Sequence, residues 1–122
     1  MNDYQMGVVE SKFADIIWQN EPISTPTLVK LCEEALKWKK STTYTVLRRL
    51  CEKGIFVNNK GEVSSLISKQ EFYSARSERF IDETFNGSFP AFLAAFTAKK
   101  KLSSEEVREL RKMVEEYEEE RK

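Results

Sequence analysis

Three short apolar stripes at helical spacing, each ended by a turn signal, are followed by a switch to strand-like segments around a glycine, and this order restricts the first half of the chain more than any other feature. Val9, Phe13, Ile16 and Ile17 recur at i, i+4, i+7 and i+8 until Asn20-Glu21-Pro22 interrupts them, which predicts a helix over residues 10–19. Ser24 or Thr25 offers an N-cap oxygen, and Pro26 suits a first turn whose N–H groups have no partner. Leu28, Leu31, Cys32, Ala35 and Leu36 then form the second stripe. After Trp38-Lys39-Lys40, a third helix begins near Ser41 with Thr43, Val46, Leu47, Leu50 and Cys51 on one face, and ends at Lys53-Gly54, where glycine suits the C-cap. Ile55-Phe56-Val57 and Glu62-Val63-Ser64 read as two short strands around Asn58-Asn59-Lys60-Gly61, a tight turn in which Gly61 permits positive φ.

Three helices and a β-hairpin outline an N-terminal winged helix-turn-helix domain, expected over residues 1–66 of a mainly α chain. Residues 67–122 read as a second, helical domain. Phe72, Phe80, Ile81 and Phe85 mark a fourth helix stopped by Asn86-Gly87. Ser88 and Pro90 open a fifth, where Phe89, Phe92, Leu93 and Phe96 fall at i, i+3, i+4 and i+7 with alanines between, a composition that predicts burial nearly all round. Ser103-Ser104-Glu105-Glu106 is a capping box, and Val107, Leu110, Val114 and Tyr117 follow at coiled-coil steps. So short a tail cannot enclose so apolar a middle helix by itself, since domains that small bury only about 60% of their unfolded surface. Pairing with a second copy through Phe80, Phe85, Phe89, Phe92, Leu93, Phe96 and the last-helix seam is therefore expected; the alternative is packing back on the N-terminal domain.

Twenty Lys plus Arg balance twenty Asp plus Glu, so attraction to nucleic acid must come from uneven distribution. It is uneven. Between Lys37 and Lys60 stand seven basic residues (Lys37, Lys39, Lys40, Arg48, Arg49, Lys53, Lys60) and one acid, Glu52, a local net charge of +6. Thr42, Thr45, Arg49 and Glu52 lie at steps of 3, 4 and 3 on the helix face opposite Leu47 and Leu50, with Ser41 and Arg48 alongside. Hydroxyls and N–H groups at a helix start can meet phosphate, and arginine can be bidentate to guanine, so this face suits a major groove. The bland alternative is an ordinary solvated polar face.

Histidine is absent, which removes the usual general base near neutral pH and the commonest transition-metal ligand. Cys32 and Cys51 lack CxxC partners and read as reduced, packed thiols; no metal or cofactor is expected. The glutamates Glu115, Glu116, Glu118, Glu119 and Glu120 read as a solvated face, so an enzyme is not expected. No apolar run approaches the ~18 residues of a membrane span, and the first residues lack a secretory profile, so the expected location is cytoplasmic.

In Phe13-Ala14-Asp15-Ile16-Ile17-Trp18, in Trp38 through Leu50 with Lys53-Gly54 after it, and in Leu102 through Leu110, the chain resembles the penicillinase and methicillin-resistance repressors and their copper-responsive relatives. The resemblance implies a winged helix joined to a helical dimerisation tail, repressing transcription at a palindromic DNA operator. It places the DNA-contacting helix on Ser41, Thr42, Tyr44, Thr45 and Arg49. Lys39, Lys40, Arg48 and Lys60 join these as candidate DNA-binding residues. Tyr44 stands where the family often has a basic residue, Thr43 where it often has an aliphatic one, and the wing is short, with Lys60 its only basic residue. The paired Cys-x-Cys motifs of copper-responsive members are missing. Antibiotic-responsive members imply inactivating cleavage by a sensor-linked protease at a bond corresponding to Ala95-Phe96, without the usual Asn before it. The reading from a different class is a winged-helix protein-interaction module without sequence-specific DNA binding.

Overall fold

The computed structural model describes residues 6–121; residues 1–5 and 122, the outer ends of the two expected domains and part of the stretch read for a secretory signal, lie outside the described residues. The elements run α1 (Val8–Asn20), β1 (Ile23–Ser24), α2 (Thr25–Leu36), α3 (Lys40–Glu52), β2 (Phe56–Asn59), β3 (Glu62–Ser65), α4 (Lys69–Phe85), α5 (Phe89–Thr97) and α6 (Ser104–Glu120). This is a mainly helical chain, a winged helix followed by further helices. The chain divides into two compact units, residues 1–79 and 80–122, with the boundary inside α4.

In the first unit, Phe13, Ile17, Leu28, Cys32, Leu47, Leu50, Phe56 and Val63 meet in one dry core. Two expected core residues differ. Val9 is half exposed in the opening turn of α1, and Ala14 lines the core instead. Ala35 is exposed in the last turn of α2, whose neighbouring Leu36 is the residue that packs against the core. Ser24 caps α2, its hydroxyl accepting from the Thr27 N–H at 3.3 Å.

The end of α3 shows how a local signal sets a tertiary direction. Lys53 is the C-cap; Gly54 follows with φ 82°, the Gly54 N–H donates to the Cys51 carbonyl (3.0 Å) and the Ile55 N–H to the Leu50 carbonyl (3.1 Å). This paired reversal needs a left-handed residue that glycine adopts without strain, and it aims Ile55 at Leu50; both are fully buried. The wing that follows is a two-residue hairpin: Asn59 pairs with Glu62, and Lys60 and Gly61 both have positive φ. The hairpin gains an unforeseen third strand, since β1 pairs antiparallel with β3 through Ile23↔Val63 and Ser24↔Glu62, giving the order β1-β3-β2.

The second unit is built differently. Phe92 has the rings of Phe80, Phe85, Phe89 and Phe96 around it at centroid distances of 6.0, 5.6, 6.1 and 6.1 Å. Yet among its described residues none is buried. The expectation that α5 is enclosed nearly all round is therefore not met within this unit: Phe89 is 55% and Phe96 44% exposed. Three helices supply too few opposing faces for that much apolar surface.

Candidate nucleic-acid interface

Burial sorts α3 into two faces. Thr43, Val46, Leu47 and Leu50 point into the core, while Lys40, Ser41, Thr42, Thr45, Arg48, Arg49 and Glu52 are exposed. The 3.6-residue period places the hydroxyls in the first turns and the arginines one to two turns later on the same outward side. Thr43 stays within the core because its hydroxyl donates back to the Lys39 carbonyl at 3.5 Å, so a polar atom is buried with a partner. The Thr45 hydroxyl likewise donates to the Ser41 carbonyl at 2.9 Å, which leaves its methyl group and oxygen lone pairs for anything approaching the helix.

The helix is held from its N-terminal side. Lys37 reverses the chain in the left-handed region at φ 59°, and Trp38 stacks on Phe13 with centroids 5.4 Å apart, tying the turn before α3 to α1. Lys39 is the N-cap and supplies no side-chain oxygen, so the first N–H groups of α3 lack a side-chain cap while Lys39 and Lys40 stand exposed beside them. Positive helix end and cations together favour an anion. Tyr44 is half buried, with the Lys40 ammonium 6.0 Å from its ring centre.

Of the nine candidate residues, eight therefore lie on α3 or at its start, and Lys60 stands apart, exposed at the wing tip. Arg49 is tied: its Nη1 lies 3.5 Å from Oε2 of Glu10, in the first turn of α1. Glu10 caps the start of its own helix and sits thirty-nine residues away, so only the packing of α1 against α3 reveals its pairing with Arg49. The two thiols behave as buried groups: both are free, and burial pushes Cys32 and Cys51 above the ordinary cysteine range.

Among the described residues, no cluster of three or more His, Cys, Asp or Glu could hold a metal ion, and no helix is long and apolar enough to cross a membrane. Residues 6–116 match the family model described as penicillinase repressor. The methicillin resistance regulatory protein MecI of Staphylococcus aureus strain Mu50 is 26% identical over 115 residues, spanning 91% of this chain and 94% of its own length. The penicillinase repressor of Bacillus licheniformis is 27% identical over 117 residues, spanning 93% and 91%. MecI of Mammaliicoccus sciuri is 25% identical over 115 residues, spanning 91% and 94%. With a winged helix, an exposed basic helix face and a family match that runs through both units, the chain belongs to the penicillinase repressor family of DNA-binding transcriptional repressors.

Proposed function

We propose that the protein is a homodimeric, sequence-specific repressor that sets α3 of each subunit into successive major grooves of a palindromic operator, with half-sites about 10 bp apart or a multiple of it. The observation that carries this reading is the outward row of Ser41, Thr42, Thr45, Arg48 and Arg49, a mixture of small hydroxyls and forked cations fixed on a helix whose other side is locked in the core. Lys39, Lys40 and Lys60 would neutralise phosphate, Tyr44 would pack beside the backbone, and the first N–H groups of α3 would meet a phosphate directly.

Dimerisation falls to residues 67–122: the phenylalanines around Phe92, with Leu93, and the seam of half-buried Leu110 with exposed Val107, Val114 and Tyr117. Supporting it is the apolar surface that Phe80, Phe89, Phe96, Val107, Val114 and Tyr117 leave exposed in this unit, at the spacing of a helix seam. The relatives' names connect them with penicillinase and methicillin resistance. An antibiotic-responsive version here would release the operator when a sensor-linked protease cuts Ala95-Phe96. That bond lies inside α5, whose following Thr97 hydroxyl donates to the Leu93 carbonyl at 2.8 Å, so cutting needs α5 to open locally. Limited proteolysis of the DNA-free dimer is expected to cut within residues 92–97; an intact α5 after prolonged digestion removes the cleavage step.

The repressor reading is tested by selection from a random duplex library at about 150 mM salt, where non-specific phosphate binding is weak. An enriched inverted repeat is the expected result. Absence of any enrichment would transfer the basic face to the protein-interaction module, which binds DNA weakly and without preference.

A further inference from the structure

Glu10 is an acid held against the basic face, and its two oxygens do different work. Oε1 accepts the Gly7 N–H at 3.3 Å and so caps α1. Oε2 is sealed from solvent, accepts no hydrogen bond, and lies 3.5 Å from Nη1 of Arg49. The Glu10 side chain is 20% exposed and that of Arg49 53%, so the pair has one sheltered end and one open end.

An exposed arginine otherwise samples many rotamers, and ordering it on binding DNA costs that rotamer freedom. A sealed carboxylate oxygen resists losing its counter-charge, which ties the guanidinium to α1 by one edge. The planar fork carries five donors, so engaging Nη1 leaves Nη2 and Nε for a ligand outside. The geometry points to Glu10 as a positioning residue for DNA readout: its carboxylate holds Arg49 so that the arginine meets a base or phosphate with its remaining donors already oriented. This rests on the reading that α3 is the recognition helix.

Equilibrium binding of the full chain to the selected operator and to random duplex tests it, with Glu10→Gln, Arg49→Ala and the double variant. Gln keeps an acceptor for the Gly7 N–H and removes the charge, so the thermal midpoint should hold. Glu10→Gln is expected to lose roughly three- to tenfold in operator affinity while random-duplex affinity does not fall, and less than about twofold in the Arg49→Ala background, the signature of action through Arg49. Glu10→Asp, which keeps the charge with a shorter reach, should fall between wild type and Glu10→Gln. Equal losses in both backgrounds, no loss, or tighter operator binding by Glu10→Gln would each overturn the proposal, the last by showing that Glu10 sequesters Arg49 instead. Wild-type protein that prefers no sequence overturns the recognition-helix reading and takes this proposal with it; a preference in wild type with unchanged Glu10→Gln binding overturns the proposal alone.

Discussion

Phe13, Phe56 and Phe72 are at most 1% exposed in the first unit, whereas Phe80, Phe89 and Phe96 in the second are 49%, 55% and 44% exposed. Residue type and aromatic contact are the same in both. Trp18 has Phe56 and Phe72 at 5.4 and 5.6 Å much as Phe92 has its neighbours. What differs is opposition. In the first unit α1, α2, α3, the start of α4 and a three-stranded sheet close on one core, so each apolar face meets another from the same unit. In the second, rings touch along a surface that the described residues of that unit leave open. Ring contact is thus no measure of a finished core, and the uncovered unit is where association has most to gain.

The sharpest way to break this contrast is Phe13→Ala, which should cost about 3–5 kcal/mol in denaturant unfolding. A near-silent substitution would mean that the closed core is not the seat of stability. Phe92→Asp should barely disturb the first unit but weaken the proposed dimer by at least about a hundredfold, read by sedimentation equilibrium, because it places a charge at the centre of an interface. Dimerisation equal to wild type would move the interface elsewhere. Arg49→Ala should cost about 1–3 kcal/mol in operator binding if it meets a base, or about one unit of salt slope if it meets a phosphate.

The smallest effect concerns the start of α6. Ser103 accepts the Glu106 N–H at 3.1 Å, and its own N–H donates to Glu106 Oε1 at 2.9 Å; that backbone donor, followed by the Ser103 hydroxyl, holds the Glu106 carboxyl below its usual range. A depressed carboxylate contributes stability above its unfolded pKa and loses it as pH falls through the folded one, so the helicity of α6 should decline on acidification below the ordinary glutamate range. Ser103→Ala should cost about 1 kcal/mol at neutral pH. Its circular dichroism should also depend less on acid than that of wild type.

Much of this was legible in order and spacing. The capping residue of α2, the glycine after α3, a hairpin turning at Gly61 and the outward row from Ser41 to Glu52 each follow from contacts within a few residues of one another; the structure carries the strand on through Asn58 and Asn59, expected in the turn, because both pair with β3. Two things were not. The strand Ile23–Ser24 is too short to show alternation and exists because β3 offers it an edge. Arg49 reads as a solvent-facing cation until α1 brings Glu10 to it.

Local chemistry therefore dictated which segments are helices, where they stop and which side of α3 carries charge, because propensity, caps and periodicity act over one or two turns. Tertiary packing alone decided that Phe13 is sealed and Phe89 is not, and that an acid from α1 holds an arginine of α3. Burial and ion pairing depend on what stands opposite a side chain, and that is set by elements distant in sequence.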